Sequence, residues 1–310
     1  MSDLLARAFV SAGHEVRVIT QTPGNVEFPF PVIRQPGSPQ LIEALKWCDA
    51  FLQNNISLRT IWPLAFVRRP LFIIHQTWLA SGMITPLKHF ATRFAATNFA
   101  ISHAIAAELP GSAVEIGNPF DDQIFREDSS MERSRDLVFV GRLVSDKGAQ
   151  LLLETLGKLR QVGLTPSLTI VGDGPDRSHL EELAQRQELG ASVSFVGTQR
   201  GPDLAEILNG HRVMVVPSLW PEPFGIVALE GIACGCAVIG SNQGGLPEAI
   251  GPCGITFPNG DVVALAESIR RLLSNPAEIE VFRRGRSAHL ARFHPQKIAA
   301  ACLQAIEGAK

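Results

Sequence analysis

VMVVPSLWPEPFGIVALEGIACGCAVIGSNQGGLPE, residues 213–248, is the stretch around which the rest of the chain is organised. Its apolar opening, Val213 to Val216, stops at Pro217 and gives way to Trp220, Pro221, Glu222 and Pro223. That pattern predicts a buried strand breaking into a stiff loop. Over 224–233 the apolar residues Ile226, Val227, Leu229, Ile232 and Ala233 follow a helical spacing, which the small residues around Gly235 bring to a close. A second strand is expected over 237–239. Strand, loop, helix and strand in this order form a parallel unit, with the loop and the helix's first turn at the carboxyl edge of the sheet.

Two carboxylates sit on that unit with seven residues between them, Glu222 in the loop and Glu230 inside the helix. The amides of Phe224, Gly225 and Ile226 are early-helix donors without intrahelical partners, and the helix dipole adds partial positive charge there. A diphosphate is favoured at such a point. Carboxylates nearby suit hydroxyl groups, so one cleft could hold a sugar nucleotide, with acids on the polyol and amides and cations on the phosphates. Taken without context, the same two residues read first as a surface acid and a helix-face acid.

EPFGIVALE (222–230) resembles the Glu-x7-Glu signature of the retaining glycosyltransferases of family 4. LVFVGRLVSDKGAQLLLETL (137–156), LTIVGDGP (168–175), VSFVGT (193–198), SNQGGLPEAI (241–250) and AGHEVRVIT (12–20) are similar to that family in the family's order. The resemblance implies an α/β architecture of the GT-B type, two facing Rossmann-like domains with parallel sheets. In that frame the amino-terminal acceptor-side domain is 1–118, the linker 119–134 and the nucleotide-sugar domain 135–294. The terminal helix, 295–310, is expected to cross back to the first domain.

Composition suits a chain of 310 residues with two cores. The net charge of -2 gives no sign of a nucleic-acid partner. It is divided, with 9 Lys+Arg against 7 Asp+Glu before Asn118 and 19 against 23 from there on. Five cysteines, at 48, 234, 236, 253 and 302, lack a metal-ligand or redox spacing and read as small core residues in a reducing cytoplasm. No leader pattern and no apolar run of membrane-spanning length stands out, so a cytoplasmic chain is expected, with peripheral contact at the inner face of a membrane the further option.

The amino-terminal half begins on a predicted helix through Leu4, Leu5, Ala8, Phe9 and Val10, closed by Gly13, and a strand over 16–20. The resembling family sets a first strand and a Gly-rich loop ahead of this helix, and neither is present in the sequence. A missing central strand would leave its neighbours' backbone edges unpaired. Residues 23–39 read as a loop with an extended piece at Val32 and Ile33. A helix is expected over 41–46, and strands over 50–53, 71–74 and 99–102. The strand over 71–74 runs into His75. By the resemblance that histidine points at the donor sugar or the acceptor; by itself it reads as a structural residue. Residues 83–96 predict a helix with Lys88, His89 and Arg93 on one flank, which reads as a solvated face or as a contact for an anionic membrane surface.

In the second half a strand over 137–140 leads through Gly141 and Arg142 to Lys147 and Gly148. The resemblance gives Arg142 and Lys147 the donor diphosphate, matching the need of a departing nucleoside diphosphate for nearby cations. The loop at Gly172 fails the dinucleotide fingerprint, since position 177 is Arg and Pro175 falls in the turn. The family uses this loop and the next one, at Gln199, to surround the base. Glu222, Arg142, Lys147 and His75 are therefore the expected catalytic set. Glu230, Phe224, Gly225, Ile226, Val227, Gly172, Gln199 and Gly141 are the expected donor-binding set, with Glu222 on the sugar hydroxyls and Glu230 on the ribose.

These expectations describe a retaining hexosyltransferase that needs neither metal nor cofactor and moves a sugar from a nucleoside-diphosphate sugar to a hydroxyl acceptor. Uracil, guanine and adenine stay open, with a UDP-sugar placed ahead of a GDP- or ADP-sugar. The alternative is a nucleotide-sugar-binding or regulatory subunit that has lost transfer. An epimerase needs a set of acid and base groups that the sequence does not supply.

Overall fold

The computed structural model describes residues 2–79 and 85–309 and divides into two compact units. Unit 1 joins Met1–Pro119 to Phe293–Lys310, and unit 2 is Phe120–Arg292.

Unit 2 is built on six strands: β7 (Arg135–Val140), β8 (Leu168–Val171), β9 (Val193–Gly197), β10 (His211–Val216), β11 (Ala237–Ser241) and β12 (Gly254–Phe257), numbered after the six of unit 1 given below. They pair in the order β12-β11-β10-β7-β8-β9, all parallel. Renumbered within the unit, this is the order of a doubly wound nucleotide-binding sheet. The strands are near-continuous apolar runs because helices cover both faces. Leu137, Phe139, Val213, Val215, Ala237 and Ile239 pack with Leu152 and Leu156 of helix Ala149–Gln161 and Leu265 and Ile269 of helix Val262–Ser274. On the opposite face, a Cβ at Gly231 of helix Ile226–Ala233 would come 2.7 Å from Met214 Sδ, so only glycine lets that helix sit this close to β10.

The fold turns direction between β7 and β10, the two central strands. Loops leaving their carboxyl ends diverge there, and the crevice between them is where open parallel sheets bind ligands.

Unit 1 carries β1 (Val18–Thr20), β2 (Val32–Arg34), β3 (Phe51–Asn54), β4 (Leu71–His75), β5 (Thr97–Ala100) and β6 (Val114–Glu115). They form two separate parallel sheets, β1-β2 and β3-β4-β5-β6, and among the described residues no strand joins β1 to β3. Helix Pro295–Gly308 packs on helix Ser2–Ser11 within this unit.

Several boundaries move from the sequence expectation. Helix 41–46 extends to Ser38–Trp47. The helix expected over 83–96 is Thr85–Thr92, while positions 83 and 84 lie outside the described residues. Residues 246–250 form a short helix, Leu246–Ile250, with Pro247 in its first turn, where a missing amide hydrogen costs nothing.

The segment 120–134 is folded onto unit 2. Asn209 accepts from the Asp128 amide at 2.8 Å and donates to the Arg126 carbonyl at 3.0 Å. Glu127 is gripped by Arg283 and Arg286 of helix Pro276–Leu290 and lies 3.2 Å from Arg133. Among the described residues no helix is long and apolar enough to cross a membrane.

Candidate functional site

The loops that leave β7 and β10 are tied together by their backbones. Leu219 and Trp220 both donate to the Asp146 carbonyl, at 2.8 and 3.2 Å. Gly148 sits against the Pro217 carbonyl, where a Cβ would come within 1.9 Å, and its φ of 73° is one that residues with side chains resist.

This knot sets Lys147 and Glu222 face to face across the turning point of the sheet. Lys147 Nζ donates to Glu222 Oε1 at 2.6 Å, with the two side chains 23% and 15% exposed. Ser218 Oγ donates to the same oxygen at 2.6 Å. The backbone of Glu222 is fixed from a third loop, since its carbonyl accepts from the Gly245 amide at 2.7 Å and the residue forms a β-bridge with Gly244. A Cβ on Gly244 would come 2.2 Å from the Glu222 carbonyl oxygen, at a φ of 67°. Three loops from the carboxyl edge therefore position one carboxylate and one ammonium.

Helix Ile226–Ala233 starts just beyond. Its N-cap, Gly225, takes a φ of 111°, so the helix begins at Ile226 rather than at 224 as the apolar spacing had suggested. Phe224 lies ahead of the helix with its side chain buried at 2% exposure. The amide of Ala228 bonds the Gly225 carbonyl at 3.0 Å, which leaves Ile226 and Val227 as the early-helix donors.

Glu230 is on the second turn of that helix. Burial pushes its carboxyl up, and the charge of Asp121 adds to the effect, bringing it to about 7. Near neutrality this group is divided between a form that donates a hydrogen bond and one that only accepts.

Gly141 and Gly172 stand side by side where β7 and β8 end. The Gly141 amide donates to Val171, and the Gly172 amide to Gly197, at 3.0 and 2.8 Å. Gln199 follows β9, its side-chain amide on the Val196 carbonyl at 3.1 Å. Arg142 is exposed, and among the described residues it forms no ion pair with Lys147, Glu222 or any other acid.

His75 belongs to unit 1, at the carboxyl end of β4. It is 1% exposed, and its Nε2 is 2.9 Å from Asn98 Oδ1. Asn98 Nδ2 donates to the Thr92 carbonyl at 3.1 Å, which orients the amide so that Oδ1 faces the imidazole. His75 therefore carries its proton on Nε2 and leaves Nδ1 as an acceptor. Burial lowers its pKa against the opposing effect of the hydrogen bond it donates to Asn98 Oδ1, so the ring is neutral at pH 7.

Two residues of the site were not singled out from sequence. Ser218 is a common residue in a loop, and only the fold shows that its hydroxyl meets Glu222. Asp121 is more than a hundred positions from Glu230, and no local spacing links the two.

A sequence profile described as "Glycosyl transferases group 1" matches residues 120–286, more than half of the chain. The chain belongs to that family. It is similar to a glycogen synthase of Mycobacterium tuberculosis, 35% identical over 180 residues that are 56% of this chain and 43% of the relative. It is also similar to a D-inositol 3-phosphate glycosyltransferase of Mycolicibacterium paratuberculosis, 32% identical over 207 residues that are 62% of this chain and 46% of the relative. The matched region is thus under half the length of either relative. In fold the chain is similar to HepE of Anabaena, solved in complex with UDP and glucose, with a TM-score of 0.80 at 19% identity over 99% of this chain and 96% of that one. The α/β fold with parallel sheets of the GT-B type is shown by this likeness.

Proposed function

We propose that the chain is a retaining glycosyltransferase that takes a sugar from a nucleoside-diphosphate donor, a UDP-sugar before a GDP- or ADP-sugar, and passes it to a hydroxyl acceptor. The observation that carries this reading is the Lys147–Glu222 pair at the divergence of β7 and β10, beside the opening amides of helix Ile226–Ala233. An ammonium and two free amides suit a diphosphate, and a carboxylate at the same point suits sugar hydroxyls.

On this reading the diphosphate replaces Glu222 as the partner of Lys147, with Arg142 added from solvent. Negative charge grows on the leaving phosphate in the transition state, so cations there act on the barrier and not only on affinity. Glu222, released from Lys147 but still bonded to Ser218, accepts from the sugar hydroxyls. Glu230 accepts from or donates to the ribose. The backbones at Gly141, Gly172 and Gln199 surround the base. Neither acid serves as a nucleophile, and the departing phosphate takes the acceptor's proton on the face it leaves. By the resemblance His75 serves a hydroxyl of donor or acceptor, and Nδ1 is the ring atom left to accept it, since Nε2 donates to Asn98. HepE, solved with UDP and glucose, supports the choice of uracil and of a hexose.

Calorimetry with UDP-, GDP- and ADP-sugars, followed by analysis of the anomeric configuration of the product, tests the proposal. Binding of one donor with release of its nucleoside diphosphate and retained configuration is expected. No binding of any of the three, or an inverted product, overturns it.

A further inference from the structure

Residues 50–107 contain no Asp or Glu, and they carry Arg59, Arg68, Arg69, Lys88 and Arg93. A run of this length in which every formal charge is positive is unusual for a chain whose net charge is -2. Arg69 is used internally, with Nη2 on the Lys46 carbonyl at 2.9 Å. Arg59, Arg68 and Arg93 are exposed.

The same part of unit 1 keeps large apolar side chains in solvent. Phe66 is 79% exposed, Phe94 69%, Phe90 58%, Leu87 53% and Trp62 40%. They come from two places in sequence, the short helical segments Leu58–Ile61 and Trp62–Ala65 with the residue after them, and helix Thr85–Thr92 with the turn after it. Both segments lie on one buried cluster of Ile56, Leu71 and Ile73, into which Ile61, Leu64, Ala91 and Ala95 point. Leu71 and Ile73 are two apart on β4 and share one face of the sheet. Both segments therefore cover the same face, and the side chains pointing away from the cluster look outward on the same side. Leu87, Phe90 and Phe94 are spaced three and four apart, a single helical stripe. Small residues, Ala91 and Ala95, face inward, so the large apolar groups are on the side that does not need them for packing.

Scattered exposed apolar residues need no explanation, but five large ones on one side are an interaction surface. The charge pattern selects the occupant. Exposed Arg59, Arg68 and Arg93, drawn from a run of sequence without Asp or Glu, disfavour a basic partner and attract an anionic one. The rings are paired edge to face, Trp62 with Phe66 at 6.4 Å and Phe90 with Phe94 at 4.9 Å. An edge-to-face pair covers one face of one ring and sets neighbouring rings across each other, so it offers no parallel platform on which successive bases could stack. A lipid headgroup layer accepts both features, taking aromatic and aliphatic groups into the interface and cations on its phosphates.

We propose that this face of unit 1 docks on an anionic bilayer, with Trp62, Phe66, Leu87, Phe90 and Phe94 entering the interface and Arg59, Arg68 and Arg93 meeting lipid phosphates. Docking does not depend on the transferase reading, since vesicle binding is measured without any sugar nucleotide.

The test is co-sedimentation of the full chain with phosphatidylcholine vesicles containing phosphatidylglycerol, and with phosphatidylcholine alone. Binding to the anionic vesicles is expected, weakened by salt. Arg59→Gln with Arg93→Gln should lower it by about fivefold for each cation removed. Phe90→Ser and Phe94→Ser should each lower it by about tenfold or more. The thermal midpoint should change little, because these side chains are mostly in water. The proposal is overturned if anionic vesicles bind no better than neutral ones, or if the Phe variants sediment like the wild type. Equal binding to heparin without any loss in the Phe variants would assign the charge to a soluble polyanion. A concentration-dependent dimer abolished by Phe90→Ser would assign the face to a second copy. Either result also overturns it.

Discussion

Lys147→Met keeps the unbranched stem as far as Cε and removes the ammonium that faces Glu222. The pair is 2.6 Å apart, with its members 23% and 15% exposed. Exposed pairs contribute about 0–1 kcal/mol, whereas stripping the partner from a fully buried charge costs about 3–5 kcal/mol. A pair this sheltered falls between them, so a loss of about 2 kcal/mol is expected. For a unit the size of Phe120–Arg292 that is a fall in thermal midpoint of roughly 4–8 °C. Adding Glu222→Gln should return most of it, since an amide needs no counter-charge and Ser218 can still donate to it. The variants separate further in their handling of nucleotide. Lys147→Met should weaken UDP by about tenfold and lower kcat by roughly a hundredfold or more, because the cation acts where charge accumulates. Glu222→Gln alone should bind UDP a few-fold more tightly, since Lys147 is no longer engaged, yet turn over UDP-sugar slowly. Scanning calorimetry and a coupled assay for released UDP report both. Wild-type midpoint and wild-type turnover in Lys147→Met would refute the role given to the pair.

Glu230, held up at about 7 by burial and then by Asp121, binds more protons folded than unfolded. Its contribution to stability is complete below the unfolded carboxylate range near 4.5 and is lost as the pH rises through about 7. Glu230→Gln should therefore gain roughly 2–3 kcal/mol over the wild type at pH 8 and little at pH 4, and Asp121→Asn should gain a smaller part of it. Equal pH profiles of urea unfolding in all three proteins would contradict this. Glu127 has the opposite sign. Burial pushes it up, but the hydrogen bonds and charges of Arg286 and Arg283 prevail and hold it at about 2. Stability from this acid is complete above about 4.5 and disappears as the pH falls toward 2, a loss of roughly 1–2 kcal/mol after solvent screening that Glu127→Gln should abolish. Gly244→Ala puts a Cβ on the Glu222 carbonyl at a positive φ, and should cost roughly 2–4 kcal/mol while weakening donor binding, with the fold retained by circular dichroism.

The parts of the molecule legible in sequence were those with dense local signals. VMVV, LTIV and AVIG could be read as buried parallel strands because continuous apolar runs have few other uses in a chain with helices between them. Glu222 and Lys147 could be read as site residues, but their direct bond could not. It depends on the pairing of β7 with β10, which brings together loops that are seventy-five positions apart. The start of helix Ile226–Ala233 was misplaced because apolar spacing does not register the left-handed turn at Gly225. The short helix after Gly245 leaves no comparable signal in sequence, since five residues give too little periodicity. Asp121 had no signal at all, because its effect on Glu230 passes through space.

Ser218 and Lys147 both bond to Oε1 of Glu222. Two donors converging on one oxygen lock the torsions of a long side chain while its second oxygen takes no part in either bond. On the proposed reading the donor draws Lys147 away and Ser218 keeps its hold, so a sugar hydroxyl arriving at the second oxygen meets a side chain with less freedom to lose than a loose one, whose ordering costs about 0.5–1.5 kcal/mol. The hydroxyl then meets an acceptor whose direction was set during folding. On the same reading, discrimination between epimers would rest on the hold of Ser218, because a sugar whose hydroxyl points elsewhere would have to break that bond to recruit the carboxylate.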